Sequence, residues 1–134
     1  MSNMETITQE YTYKLLGCAY EVHKALGPGL LESVYKKALK RELETNGFKV
    51  DEEKPITIDY KGIRIADNLK IDLLVDNKII LELKSVETLK EVHFKQLMTY
   101  LRLTGCNLGY LINFNVDKLK DGGIHRVVNH FKER

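Results

Sequence analysis

Two carboxylates and an ammonium flank a short polar turn in DLLVDNKIILELK, residues 72 to 84. Asp72 opens the first of two apolar runs, and Glu82 and Lys84 close the second. A strand buried on both faces carries Leu, Ile and Val at such places. Two carboxylates brought together in a partly dry site repel each other, and one of them tends to keep its proton. A hard divalent cation between them removes that cost, because such ions take carboxylate oxygens as ligands. The plain alternative is a solvent-facing strand with an E-x-K charge pair.

The turn decides whether the charges meet. Glu82 and Lys84 are two apart, so both leave one face of a strand, and Ile79, Leu81 and Leu83 take the other. A two-residue turn at Asp76-Asn77 pairs Asp72 with Leu81 and sends Glu82 to the opposite face. A turn with an odd number of residues, centred on Asn77, sets Asp72 opposite Glu82 with Cβ atoms about 5 Å apart. It also puts Leu74 and Ile80 on the same face as the charges. Asp-Asn is not the Asn-Gly signal of a tight hairpin, so the local sequence leaves both registers open.

The flanking elements are legible from periodicity. Ile7, Tyr11, Leu15, Cys18, Ala19, Val22 and Leu26 predict a helix from about residue 5 to 26. Gly27-Pro28-Gly29 ends it. A second helix runs from about Leu30 through LLESVYKKALKRELET and closes at Asn46-Gly47. FKVDEE, ITIDY and IRIAD read as strands, the last two joined at Lys61-Gly62, and the charged hairpin follows. A third helix over about 88–104 carries Leu89, Val92, Leu97, Tyr100 and Leu101, with Gly105 as its cap. NLGYLINF predicts a strand buried on both faces. After a loop over 117–123, IHRVVNHF is a last strand or edge. The order α-α-β-β-β-β-α-β-β predicts a three-layer α/β/α or α+β sandwich with two N-terminal helices.

The 134 residues predict one domain, 1–134, with a core of its own. Apolar residues make up 43% and charged residues 30%, a soluble globular profile. No apolar run reaches the roughly 20 residues of a membrane span, and MSNMETITQEYTYK carries no leader signal. The expected location is cytoplasmic. Cys18 and Cys106 lie far apart, without C-x-x-C spacing, and read as reduced and buried rather than as zinc ligands. A net charge of +2 decides nothing about a nucleic-acid partner.

Asp72 followed by Glu82-Leu83-Lys84 across a short hairpin resembles the core signature of the PD-(D/E)XK nuclease-like superfamily, with Ile71 where proline often stands. GLLESVY, Gly29 to Tyr35, reads G-x-x-E-x-x-Y, and QLMTY, Gln96 to Tyr100, reads Q-x-x-x-Y on the following helix. With LGPGLLESVY and GYLINF, these motifs resemble the small GxxExxY family of that superfamily over about residues 10 to 130. The resemblance implies a restriction-endonuclease-like α/β/α core with a mixed central sheet. It implies a Mg2+ (or Mn2+) site at Asp72 and Glu82, with the Leu83 carbonyl and Glu32 as further ligands. Lys84 would position or activate the attacking water, and Gln96 and Tyr100 would flank substrate or orient the lysine. Lys70, Lys95 and Arg102 are candidate phosphate contacts.

These residue types suit phosphodiester hydrolysis, where negative charge gathers on phosphoryl oxygens and a metal and an ammonium stabilise it. The expected function is a metal-dependent nuclease acting on DNA (or RNA), in DNA repair or defence, alone, as a homodimer or with a partner protein. The alternative is a catalytically weak nucleic-acid-binding or protein-interaction module on the same fold. Single residues also have plain readings: Glu32 as a solvated helix edge, Tyr35 as core, Gln96 and Tyr100 as a polar pair, and His93 as a surface residue near Gln96.

Overall fold

The structure, a computed structural model, describes residues 7–129. The expected helix start at residue 5 and the end of the IHRVVNHF segment, His130 and Phe131, lie outside the described residues. The elements are α1 (Gln9–Leu26), α2 (Glu32–Thr45), β1 (Val50–Tyr60), β2 (Ile63–Val75), β3 (Ile79–Lys84), α3 (Glu91–Thr104), β4 (Leu108–Asn113) and β5 (Ile124–Val128). The strands form one sheet in the order β1-β2-β3-β4-β5. β3 and β4 are parallel, joined by the α3 crossover, and every other pair is antiparallel. The sheet is mixed and lies between helical layers, the expected α/β/α arrangement.

Each helix begins and ends for a local reason. Thr8 caps α1 by accepting the Tyr11 amide at 3.0 Å, which satisfies one of the donors a helix start leaves open. Gly27, at φ 71°, stops it before Pro28. Helix α3 starts at Glu91, three residues later than periodicity suggests. The His93 ring accepts the Lys90 amide at 3.0 Å and fixes the start there. Leu89 therefore packs from the preceding turn, and Val92 is exposed rather than part of the apolar face.

Two cores hold the layers. On the α1/α2 side, Leu15, Leu39 and Leu43 pack with Leu73, Val75, Ile79, Leu81, Leu83, Tyr110 and Ile112. On the α3 side, Leu97, Tyr100 and Leu101 pack with Ile56, Ile71, Leu74, Ile80 and Leu111. Each fully buried aliphatic side chain contributes about 1.5–3 kcal/mol. β4 is buried along its whole length, as expected of a strand covered on both sides. Cys18 and Cys106 are free and buried, and burial pushes the Cys18 thiol up to about 11.

Segments that read separately are continuous: FKVDEE runs into ITIDY as the single strand β1, and IRIAD runs into KIDLLV as the single strand β2, interrupted by a bulge. Ile56 pairs with Leu69 and Ile58 with Ile65, so Ala66 to Asn68 stand opposite Thr57 alone. Asn68 sits at φ 63°, a conformation asparagine tolerates better than most residues.

Nearer the hairpin's base both strands roll over. Leu73 packs into the α1/α2 core and Ile71 into the α3 core, although two residues apart on one strand. Regular alternation would keep them on one face. The paired positions skip Glu53 and Asp72 while the register on either side is unchanged, and Glu53 is at φ 52°. The exchange of faces is centred on Asp72.

Candidate active site

Asp76, Asn77 and Lys78 connect β2 to β3, and Val75 pairs with Ile79, Leu74 with Ile80 and Leu73 with Leu81. Asp76 and Asn77 have φ 52° and 55°, and the Lys78 amide donates to the Val75 carbonyl at 2.9 Å. These are marks of a two-residue turn with positive φ at both centres, to which Lys78 adds one residue. The turn is therefore odd, and Asp72 faces Glu82. Asp76 is tied down from afar: its carboxylate accepts the Tyr11 hydroxyl at 2.7 Å and the Lys49 amide at 2.8 Å.

The backbone ladder stops one pair short of the two acids, and their side chains continue it. The Asp72 amide donates to Glu82 Oε2 at 2.9 Å, and the Leu83 amide donates to Asp72 Oδ2 at 2.8 Å. Glu82 is only 4% exposed. Burial first, and then the Asp72 charge and more weakly that of Glu32, push its carboxyl up to about 8, against the pull of the Asp72 amide and Lys84.

Helix α2 brings in a second pair of charges. Glu32 is half-buried, and burial raises its carboxyl. Lys84 and Lys36 oppose the rise and Asp72 adds to it. Lys36, one turn on, places its ammonium 3.4 Å from Asp72 Oδ1 and 3.2 Å from Glu53 Oε2. Sequence reasoning passed over Lys36 and Glu53. The available signal for Lys36 was its i,i+4 spacing from Glu32, which puts both on one helix face. Nothing local marked Glu53, because its place depends on the rolled-over strand.

The loop that presents Glu32 is held by Tyr35, as its core reading suggests. The Tyr35 hydroxyl donates to the Gly27 carbonyl and accepts the Leu30 amide at 3.1 Å. Its ring stacks on Phe114 at 4.5 Å between centroids. The Gly29-x-x-Glu32-x-x-Tyr35 spacing thus joins a turn, an acid and the tyrosine that fastens the turn.

Helix α3 closes the other side. Buried Tyr100 has its hydroxyl pKa raised by burial and then by the Glu82 charge. Gln96, exposed one turn earlier, donates to that hydroxyl at 3.1 Å. His93 is partly buried rather than a plain surface residue, and burial and then the Lys84 charge lower its pKa. Lys70 lies at the rim, 3.9 Å from Glu53 Oε1. Arg102 is exposed and donates to Thr99 at 3.3 Å. It lies two residues past Tyr100, which places it on a different face of the helix. Lys95 pairs with Glu91 at 3.6 Å. At the end of β3, Lys84 pairs in register with Asn113. Buried Asn113 accepts the Val86 amide at 3.1 Å and donates to the Val86 carbonyl at 2.9 Å, which fixes the chain just beyond the lysine.

Among the described residues, no group of three or more His, Cys, Asp and Glu side chains is gathered closely enough to hold a metal ion. The Asp72–Glu82 pair still fits a hard cation by its donor chemistry: two adjacent carboxylates, one so deeply buried that its charge is opposed. Glu32 interacts electrostatically with both but does not complete a cluster. No helix among the described residues is long and apolar enough to cross a membrane.

A sequence model described as the PD-(D/E)XK nuclease superfamily matches residues 9–127. Curated proteins give no match. The matched span takes in all eight elements but for the last residue of β5, and every residue of the site just described.

Proposed function

The chain belongs to the PD-(D/E)XK nuclease superfamily, and from that premise we propose that it is a metal-dependent nuclease hydrolysing phosphodiester bonds in DNA (or RNA). Membership supports a nuclease-type activity and a nucleic-acid substrate, and the fold is restriction-endonuclease-like. Metal dependence, the GxxExxY assignment, a single domain over 1–134 and a role in repair or defence belong to the proposal. The observation that carries it is the face-to-face placement of Asp72 and Glu82, each accepting a backbone amide across the open end of the hairpin.

Asp72 and Glu82 would hold Mg2+ or Mn2+, with the Leu83 carbonyl and Glu32 as further donors. When bound, the metal supplies positive charge at the scissile phosphate and lowers the pKa of water. Lys84 presents an ammonium on the same strand face as Glu82, where it can stabilise phosphoryl charge and orient the attacking water. Tyr100, anchored by Gln96, walls the carboxylates on the α3 side, and Lys70 offers a cation at the rim.

Glu32's separation from the pair favours a second reading, a weakly catalytic binding module on the same fold. One experiment separates the two. Single- and double-stranded DNA and RNA are incubated with Mg2+ or Mn2+, for the wild type and for Asp72→Asn, with chelator controls. Metal-dependent cleavage lost in Asp72→Asn supports the nuclease. Metal-independent retention of nucleic acid without cleavage supports the binding module.

A further inference from the structure

Lys36 is held in a way that an ordinary surface lysine is not. Its side chain is 12% exposed, and it reaches two carboxylates, Asp72 Oδ1 at 3.4 Å and Glu53 Oε2 at 3.2 Å. Asp72 is itself only 15% exposed in its side chain, whereas Glu53 is 49% exposed. The two holders therefore differ: one belongs to the acidic pair, the other to the rim, where Lys70 also reaches it. A cation drawn between them has a place to stay and a place to go. Glu53 owes its position to the irregularity that rolls β1 and β2 over, since its φ of 52° falls at the level of Asp72.

We propose that Lys36 is the resident counter-ion of the acidic pair: its ammonium neutralises Asp72 in the metal-free protein, competes with a divalent cation for that oxygen, and withdraws to Glu53 when the cation binds. The inference rests on the metal site proposed at Asp72 and Glu82 and deepens it, making Lys36 a positioning residue that sets metal affinity. The physical basis is charge. An ammonium close to Asp72 Oδ1 repels a divalent cation seeking the same oxygen, and the site's low exposure limits screening. Such a lysine also lowers the cost of keeping buried carboxylates together before metal arrives.

The test is calorimetric titration of the metal-free protein with Mn2+ and with Mg2+, for wild type, Lys36→Met, Lys36→Arg, Glu53→Gln and the Lys36→Met/Glu53→Gln double variant. Lys36→Met keeps most of the side chain's bulk and removes the charge, so it should bind metal about tenfold more tightly. It should also melt at a lower temperature without metal and recover more of that loss when metal is added. Lys36→Arg should stay within about twofold of wild type, as the charge remains. Glu53→Gln should weaken metal binding by removing the ammonium's second holder. In the Lys36→Met background that weakening should vanish, because the cycle isolates the coupling between the two residues. Lys36→Met binding metal no more tightly than wild type overturns the role of Lys36 and leaves the metal site standing. Glu53→Gln weakening binding equally in both backgrounds overturns the withdrawal to Glu53. If Lys36→Met does not fold, unchanged affinity in Glu53→Gln overturns the proposal alone. Absence of metal binding in every protein removes the metal site, and this inference with it.

Discussion

Asp72 and Glu82 face each other across the hairpin, and each carboxylate accepts a backbone amide rather than bonding to the other carboxylate: the Asp72 amide donates to Glu82 Oε2 at 2.9 Å, and Asp72 Oδ2 accepts from the Leu83 amide at 2.8 Å. The pair is thereby kept in register where the ladder between the strands has ended. Both acids stay in place before any cation arrives, and the cost of holding them falls mainly on Glu82.

That cost makes stability depend on pH. The Glu82 carboxyl is raised from 4.5 to about 8 by burial and by Asp72. Between these values the folded protein keeps a proton that the unfolded chain gives up, so stability falls as pH rises through that window. The expected fall in the metal-free protein is on the order of 3 kcal/mol. Urea unfolding from pH 5 to pH 8 measures it, and Glu82→Gln should flatten the slope. An unchanged slope in Glu82→Gln would assign the effect to other groups.

Lys84→Ala should abolish cleavage while leaving the fold and metal binding intact. Its ammonium ends β3, where the chain is fixed by pairing with Asn113 and by the Asn113 bonds to Val86. Cleavage rates and thermal melts of the purified variant check this. Cleavage that survives at wild-type rate removes the lysine from the mechanism.

Tyr35→Phe keeps the stack on Phe114 but loses the hydroxyl that holds the Gly27 carbonyl and the Leu30 amide. Losing these part-buried hydrogen bonds costs about 0.5–1.5 kcal/mol each. Because that loop leads into Glu32, the metal-induced rise in melting temperature should shrink as well. A melting temperature equal to wild type would show that the loop is held by other means.

Asn77→Val should destabilise by about 1–2 kcal/mol, since a β-branched residue is strained at φ 55°. Asn77→Gly should be tolerated or stabilising. In both variants the affinity for Mn2+ should stay at the wild-type level, because register is pinned by burial on the two sheet faces and not by the turn. A large affinity loss in folded Asn77→Gly would contradict that pinning.

Much of this was legible in the chain. Helix ends at Gly27 and Gly105, the buried strand Leu108–Asn113 and the facing of Asp72 by Glu82 under an odd turn all follow from periodicity, capping residues and parity. Other features depend on contacts distant in sequence. Lys78 as the extra turn residue could not be read from Asp-Asn alone. The joining of IRIAD with KIDLLV needs Asn68 in a left-handed conformation, which propensity permits but does not demand. Lys36 and Glu53 meet only because two strands exchange faces, and the residues around them carry no sign of it.

That exchange has a mechanical meaning. At Asp72 the strand leaves one core for the other, with Ile71 seated under α3 and Leu73 under α1 and α2. A load applied to the Asp72 carboxylate is thus shared by both helical layers. Ligand occupancy at this residue should slow amide exchange in both layers together, so that the molecule stiffens as one body rather than one layer at a time.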